Sequence, residues 1–373
     1  MPTRRETQKR SDQKIETTER KPPRAKARTE ARQTPARPTS VAIVGAGRLG
    51  SALAVALDHS GYHIAALVAR RGQHARPVAR NLSTRPHLLD AARLDLLPDN
   101  VDLILITTPD DQLAEVAARL AEVANTRRVE ETTARRVEET NAARHASSTS
   151  RRTPPRRRRA SPVALHASGA LTSDVLAPLR DEGFSLGSIH PLVSISEPQA
   201  GARTLAGGAF YCLEGEARAL TAARRIVRAL GGRGFSIDAR DKSLYHAAAV
   251  IASGHTVALF SLASELLSAC GLEPARAREV LLPLLTSTLD NLRAHAPAEA
   301  LTGTFARADL HTVRRHVAAL REAGQLGRDA LAVYALLGAR SLRLADGRGN
   351  FDPAVAEEIG ALLRRVLERP TKR

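Results

Sequence analysis

Short apolar runs recur through the first two thirds of the chain and stop after Asp241. Such runs are typical of strands buried on both faces of a parallel sheet. We predict strands at 41–44, 63–68, 101–107, 162–166, 184–191, 208–214 and 234–238. Later apolar residues follow helical spacing, over 242–270, 276–293, 309–324, 327–343 and 353–368. The pattern therefore predicts an α/β fold, with a doubly wound, mostly parallel Rossmann sheet followed by an all-α C-terminal domain.

The first predicted strand leads into a glycine-rich turn with G-x-G-x-x-G spacing. Gly45 permits the bend, Gly47 lets the backbone approach a pyrophosphate, and Gly50 lets the following helix pack on the strand. The first-turn amides of that helix then face negative charge. Glycines in such turns also serve packing alone, but here a strand precedes and a helix follows. We predict that the whole turn binds a dinucleotide: Gly45, Ala46, Gly47, Arg48, Leu49 and Gly50.

Two further strand ends are predicted to contact the coenzyme. The second strand ends at Arg70 and Arg71, whose guanidinium groups suit the extra phosphate of NADP. An NAD-specific site would have an Asp or Glu there, so NADP is favoured over NAD unless both arginines are merely solvated. Thr107, Thr108 and Pro109 follow a central strand, where open α/β sheets bind their ligands.

The strongly basic charge of the chain is concentrated in two segments. The net charge is +17, of which residues 1–40 and 124–160 contribute +7 each, leaving +3 for all other residues. With 3% aromatic residues and no Trp, little is present to stack on bases. We therefore predict no nucleic-acid partner for the core, although the basic tail could tether the chain to nucleic acid or to an acidic surface.

Composition also predicts the domain organisation. Residues 1–40 are too poor in large apolar groups to fold, and form a predicted disordered basic tail. A Rossmann dinucleotide-binding domain is predicted over 41–239, and a helical substrate and dimerisation domain over 240–373. The first domain is interrupted at 124–160 by a low-complexity, Arg-rich surface insertion, in which a polar heptad is nearly repeated before a Ser/Thr stretch.

The cysteines and the apolar segments favour a cytoplasmic protein. Cys212 and Cys270 lie far apart and belong to no Cys/His cluster, so no disulfide framework or metal site is predicted. No apolar run follows the N-terminal Met. The longest apolar segment, 244–270, contains His and Glu residues, and we interpret it as a buried or interfacial helix instead of a membrane span.

Four polar residues are candidates for chemistry on a substrate. Lys242 and His246 are four residues apart on the first predicted helix of the second domain, on the same side as Tyr245. Lys242 could donate a proton or bind an acidic substrate, and His246 could do either at neutral pH. Ser168 and His190 follow strands on the ligand side. The alternatives are a solvated lysine, a buried structural histidine and ordinary turn residues. No G-x-S-x-G elbow supports hydrolase chemistry.

Five motifs in this order resemble Rossmann-like proteins with a C-terminal domain of unknown function 2520. They are the Gly45–Gly50 turn, His166-Ala-Ser-Gly-Ala170, Ser188-Ile-His-Pro-Leu192, Lys242-Ser-Leu-Tyr-His-Ala-Ala-Ala249 and Leu301-Thr-Gly-Thr-Phe-Ala-Arg-Ala-Asp309. The resemblance covers about 41–123 and 161–368. That family belongs to the 6-phosphogluconate dehydrogenase-like superfamily, near pyrroline-5-carboxylate reductase and ketopantoate reductase. The chain departs from it at Gly254, Thr304 and Ala308, where relatives tend to have Asn, Pro and Gly.

The resemblance implies NADP binding and a helical domain that forms a homodimer. It also implies that Lys242 matches the superfamily lysine that donates a proton or binds substrate. We therefore expect an NADP-dependent oxidoreductase that reduces a small carbonyl or imine compound, with a carboxylate-bearing keto acid as the favoured substrate. Two alternatives remain: an imine reductase of the pyrroline-carboxylate type, and a non-catalytic NADP-binding protein that docks to a partner.

Overall fold

The computed structural model describes residues 38–144, 161–347 and 352–368. Its strands are β1 (Ser40–Val44), β2 (His63–Ala69), β3 (His87–Asp90), β4 (Leu103–Ile106), β5 (Val163–His166), β6 (Ser185–Pro191), β7 (Phe210–Gly215) and β8 (Arg233–Ser236). They form one sheet in the order β3-β2-β1-β4-β5-β6-β7-β8. All neighbouring strands are parallel except β6 and β7. The strand order reverses between β1 and β4, and their carboxyl ends open the crevice where such sheets bind ligands.

Alternate residues of the central strands enter two separate cores. On β1, Val41 and Ile43 pack into one core, whereas Ala42 and Val44 pack into the other. All four are fully buried or nearly so, because helices cover both faces of the sheet. The predicted doubly wound α/β fold is therefore confirmed.

Thirteen helices lie within the described residues. They are α1 (Arg48–His59), α2 (Arg76–Ala79), α3 (Leu113–Arg144), α4 (Pro178–Asp181), α5 (Pro198–Ala206), α6 (Ala217–Ala229), α7 (Lys242–Ala252), α8 (Gly254–Ala269), α9 (Pro274–Ala294), α10 (Pro297–Ala300), α11 (Leu310–Glu322), α12 (Gly324–Asp346) and α13 (Pro353–Glu368). Helices α11, α12 and α13 pack around a third core that includes Val313, Val317 and Ile359. The all-α C-terminal part is confirmed.

The predicted insertion is helical where the structure describes it. We expected an irregular insertion from residue 124, but α3 continues without interruption to Arg144. The repeat consists largely of Arg, Glu, Ala and Thr, of which all but Thr favour helices. An Arg135–Glu139 ion pair of 2.9 Å joins adjacent turns. Residues 145–160 lie outside the described residues, as does the predicted tail up to residue 37.

The long helix predicted over 242–270 is two helices. The break lies at Ser253, with φ −116° and ψ −73°, between α7 and α8. Gly254 follows at once, and glycine inside a helix costs about 1 kcal/mol relative to Ala. A break at this point lets the end of α7 and the start of α8 line the same cavity.

Ala308 adopts a backbone conformation that favours glycine. Its φ is +48°, and it is the only non-glycine residue with positive φ among the described ranges. The next residue, Asp309, begins α11 by accepting a hydrogen bond from the Thr312 amide at 3.0 Å. The departure at Ala308 from the Arg-Gly-Asp pattern therefore places a Cβ atom where it is sterically unfavourable.

Candidate active site

The turn after β1 has the geometry predicted for its three glycines. Gly45 has φ +108°, and a Cβ there would lie 2.7 Å from the Thr107 carbonyl carbon. A Cβ on Gly50 would collide with the Gly45 carbonyl oxygen and the Thr107 hydroxyl. Gly47, in contrast, faces open space with no protein atom within 4 Å of an added Cβ. The turn, which we name the cradle (residues 45–50), is thus tight on its protein side and open on its outer side.

Helix α1 begins directly in the cradle. Its first intrahelical hydrogen bond runs from the Ser51 amide to the Gly47 carbonyl at 2.9 Å. The amides of Arg48, Leu49 and Gly50 belong to the first turn, whose donors have no acceptor within the helix. These amides and the positive end of the helix dipole suit a phosphate.

A cavity of about 630 Å³ extends from the cradle along the carboxyl ends of the sheet. We name it the cradle lobe; Gly47, Thr107, Thr108, Pro109 and His190 are among its lining residues. The Thr107 hydroxyl donates to the Gly45 carbonyl at 2.7 Å and fixes the cradle to β4. The buried Thr108 hydroxyl has no hydrogen-bond partner. Because an unsatisfied buried polar group costs roughly 1–3 kcal/mol, this hydroxyl would be stabilised by a polar ligand in the lobe.

A second cavity of about 430 Å³ adjoins the first and extends along α7. We name it the α7 lobe; Leu192, Ala249, Val250, Ala252 and Gly254 are among its lining residues. His190 and His246 line both cavities and therefore stand where the two lobes meet. Among the described residues that line the two lobes, Arg48 in the cradle is the only Lys or Arg.

Two histidine rings converge on Gly169 at this junction. The rings of His190 and His246 are 5.5 Å apart and nearly perpendicular. A Cβ on Gly169 would collide with Nδ1 of His246 and lie 2.9 Å from Nε2 of His190. Nδ1 of His246 is buried and has no hydrogen-bond partner among the described residues. Only glycine leaves room here for both rings.

His190 is neutral near pH 7 and is held from behind by Tyr245. Its Nδ1 lies 2.6 Å from the Tyr245 hydroxyl. Burial, together with the nearby His246 and Lys242, lowers the pKa of His190 to about 4. Burial raises the pKa of the Tyr245 hydroxyl above its usual range, so this group also stays protonated.

Lys242 lies beneath the cleft and not in it. The residue is 1% exposed, and Nζ donates to the Ser188 hydroxyl at 2.8 Å and to the Ser168 carbonyl at 3.2 Å. The Ser188 hydroxyl in turn donates to Glu214 at 3.3 Å. Burial lowers the pKa of Lys242, and the Glu214 carboxylate acts in the opposite direction. Lys242 therefore joins α7 to β6 and to the loop after β5, and does not reach the surface of either lobe.

The polar groups of Ser168 are occupied by contacts within its own loop and with Asp110 after β4. Its hydroxyl donates to Asp110 at 2.9 Å and accepts the amides of Ala170 and Leu171 at 3.1 and 3.0 Å. Its amide donates to Nδ1 of His166 at 3.2 Å. The His166 ring is fully buried, and burial and the nearby lysine lower its pKa to about 3. Ser168 lines the cradle lobe, whereas His166 lies buried behind it and accepts the Ser168 amide.

Arg70 and Arg71 are exposed at the end of β2, as a site for an additional phosphate requires. We expected no Asp or Glu near this strand end, but β3, a strand that the sequence did not predict, places one beside it. Asp90 ends β3, pairs with Ala69 at the end of β2, and accepts the Gly72 amide. That hydrogen bond holds the turn after the two arginines.

The structure brings the predicted site residues to one edge of the sheet. One cleft is lined by Gly47, Arg48 and Leu49 of the cradle, by Thr107–Pro109, and by Ser168, His190 and His246, with Lys242 buried below it. Arg70 and Arg71 are not among the residues that line this cleft. The sequence did not predict that Tyr245 contacts His190, or that Gly169 leaves room for both histidine rings. Tyr245 was visible as the residue before His246, and Gly169 as part of the Ser-Gly turn. This fold and this cleft define a Rossmann-type dinucleotide-binding protein with an attached helical domain.

Two family models match the chain. A model described as a Rossmann-like domain matches residues 24–140. A model described as a domain of unknown function (DUF2520) matches residues 209–341. The chain therefore contains a Rossmann-like domain followed by a domain of unknown function (DUF2520), which confirms the resemblance of its motifs. No curated protein matches it significantly.

Solved structures share this fold over most of the chain. A proposed NADP oxidoreductase from Bacteroides fragilis is 19% identical, with a TM-score of 0.56 over 89% of this chain and 99% of that one. Protein TM1727 from Thermotoga maritima is 22% identical, with a TM-score of 0.52 over 88% and 98% of the two chains. A 1-pyrroline-5-carboxylate reductase from Streptococcus pyogenes is 14% identical, with a TM-score of 0.47 over 88% and 97%. At these identities the similarity is one of fold.

Proposed function

We propose that the protein is an NADP-dependent oxidoreductase that reduces a small carbonyl or imine compound. One observation carries the proposal: the cavity that begins at the open side of Gly47 ends at His190 and His246, where the α7 lobe begins. A coenzyme with its phosphates on the cradle would extend along this cavity toward the two histidines. NADPH supplies a hydride when it is bound. The Bacteroides fragilis neighbour, described as a proposed NADP oxidoreductase, agrees with this reading.

Different residues of the cleft would bind different parts of the coenzyme and the substrate. First-turn amides and Arg48 would hold the pyrophosphate, and Thr108 would hydrogen-bond to the coenzyme through its unpartnered hydroxyl. Arg70 and Arg71 would pair with the additional phosphate of NADP. The two histidines would contact the substrate. Lys242 and Ser168, which we expected to act directly, would instead fix the loop that carries Gly169.

The α7 lobe favours an uncharged substrate over a carboxylate-bearing keto acid. Its lining is mainly apolar, and no Lys or Arg is found among the described residues that line it. A buried carboxylate is stable only when it is paired or well hydrogen-bonded. Lys242, which we proposed as the carboxylate anchor, lies outside the lobe. The lining therefore supports a neutral imine or a neutral ketone better than a carboxylate-bearing substrate, whether a keto acid or a pyrroline carboxylate.

We also propose that a second copy of the chain covers α7, α8 and α9. Large apolar side chains on these helices are more than half exposed: Leu244, Ile251, Val257, Leu282 and Leu284. A continuous exposed apolar surface is typical of an interface. The stretch Ala239–Ala269 also passes as a candidate membrane span by length and composition, because an 18-residue window within it has a mean hydropathy of 1.5. Because that stretch contains the buried Lys242 and breaks at Ser253, we favour a partner subunit over lipid.

The test is a titration of the purified chain with NADPH and NADH, followed by turnover assays with matched substrates. We expect saturable NADPH binding and weaker NADH binding. Arg70→Ala combined with Arg71→Ala should reduce the NADPH preference. Cyclic imines and neutral ketones should be reduced faster than keto acids of similar size. NADPH binding without turnover of any substrate would favour the non-catalytic alternative, in which the protein docks to a partner.

A further inference from the structure

We propose that Tyr245 is a positioning residue that fixes His190 in the tautomer with hydrogen on Nε2, so that this N–H points into the cleft as a donor. The donor would bind the carbonyl oxygen or imine nitrogen of the substrate. This inference rests on the proposed reduction, and it assigns the polar contact that orients the substrate. The neutral imidazole would polarise the bond to be reduced, and the proton that completes the reduction would come from solvent water.

The direction of the hydrogen bond between Tyr245 and His190 follows from acidity. A neutral imidazole has one protonated and one free nitrogen. The phenol hydroxyl is the stronger acid of the pair, and the imidazole nitrogen is the stronger base. The 2.6 Å contact is therefore O–H to Nδ1, which leaves the hydrogen of His190 on Nε2.

The surroundings of Tyr245 hold the hydroxyl in this direction. Phe235 packs edge-on against the Tyr245 ring, with centroids 6.0 Å apart. The Cys212 thiol lies within hydrogen-bond reach of the hydroxyl, and burial raises the pKa of that thiol. A protonated thiol is a much weaker acceptor than an unprotonated imidazole nitrogen, so the Tyr245 hydrogen points to His190 and not to Cys212.

Nε2 of His190 lies on the cleft side of the ring. It stands 2.9 Å from the Cβ position of Gly169, which lines the cradle lobe. His246 faces it from α7, and Lys242 is the nearest buried cation. A neutral His190 beside that ammonium avoids repulsion between two positive charges. The geometry thus places one N–H donor where the two lobes meet.

Nitrogen NMR of the ¹⁵N-histidine-labelled full chain tests the tautomer without any turnover. At pH 7, we expect the His190 signals to show a protonated Nε2 and an unprotonated Nδ1, with His190→Gln used for assignment. Tyr245→Phe should shift His190 toward a mixture of tautomers. The chain offers a matched control, because His316 Nδ1 lies 2.9 Å from the Tyr334 hydroxyl outside the cleft. Tyr334→Phe should leave the His190 signals unchanged.

Kinetics of the same variants separate a positioning role from a structural one. Tyr245→Phe should lower kcat roughly 10- to 100-fold, the scale seen when a group that orients a histidine is lost. The KM for NADPH should change little. In a His190→Gln background, where the amide supplies a donor without Tyr245, Tyr245→Phe should cause almost no further loss.

Two results would overturn the inference. One is that His190 is protonated on Nδ1 in the wild-type chain, or that His190 keeps the same tautomer in the Tyr245→Phe variant. The other is an equal loss of kcat from Tyr245→Phe in both backgrounds. Absence of NADPH binding would instead refute the proposed function, and the tautomer measurement would still decide the role of Tyr245.

Discussion

Gly47→Ala separates the coenzyme-binding role of the cradle from its structural role. An added methyl group would meet no protein atom within 4 Å, and Gly47 has φ −77° and ψ −162°, which alanine also adopts. The unfolding free energy should therefore change by less than about 1 kcal/mol, since Gly→Ala at a compatible position has effects of that size. The methyl group would, however, occupy the space through which a pyrophosphate approaches the backbone.

We expect Gly47→Ala to weaken NADPH binding by roughly 10- to 100-fold, which corresponds to about 1.4–2.8 kcal/mol. Coenzyme fluorescence titration measures the affinity, and thermal unfolding measures the stability. Gly50→Ala is the matched control, because its methyl group would collide with the Gly45 carbonyl oxygen. That variant should lose roughly 1–3 kcal/mol of stability through overpacking. A Gly47→Ala protein that binds NADPH with unchanged affinity would show that the phosphates do not lie on the cradle.

Four further predictions follow from the structure. Lys242→Met should lower stability by roughly 2–4 kcal/mol, because a buried charge network loses its cation. Turnover should fall together with stability. A variant that loses turnover at an unchanged melting temperature would show that Lys242 takes part directly in the chemistry. The pKa values of His166 and His190 lie below the ordinary value of 6.5, so the unfolded chain binds more protons and stability falls as the pH drops from about 6.5 toward about 3. The loss should reach roughly 3 kcal/mol for His166 by pH 4, and urea unfolding curves that coincide at pH 7 and pH 4 would contradict this. Ala308→Gly should raise stability by about 1 kcal/mol by relieving the left-handed backbone, and thermal unfolding would show no gain if the conformation were unstrained. Leu284→Glu should convert a dimer to monomers in sedimentation, whereas a wild-type monomer would refute the proposed interface.

The roles of the cradle glycines could be predicted because the constraint is local. A strand, three glycines at fixed spacing and a helix define the turn without reference to distant residues. Gly45 makes the predicted bend with a positive φ, and Gly50 shows the predicted close packing. Strand β3 was missed because it has only four residues and one buried side chain, too few to produce a recognisable period.

The position of Lys242 could not be predicted from periodicity. Helical spacing correctly placed Lys242, Tyr245 and His246 on one side of α7, but it does not say how deeply each residue is buried. Lys242 lies at the start of the helix, above Ser188 and the Ser168 carbonyl, which accept its hydrogen bonds. Only the packing of α7 on the sheet determines that the histidine faces the cleft and the lysine does not.

An NADP⁺ titration followed by NMR tests the central claim most directly, since it observes both ends of the cleft in one experiment. We predict that the Gly47 amide and the ring signals of His190 and His246 shift together, with one Kd. Shifts confined to one end, or signals that remain unchanged at saturating coenzyme, would contradict a coenzyme that extends from the cradle to the histidines.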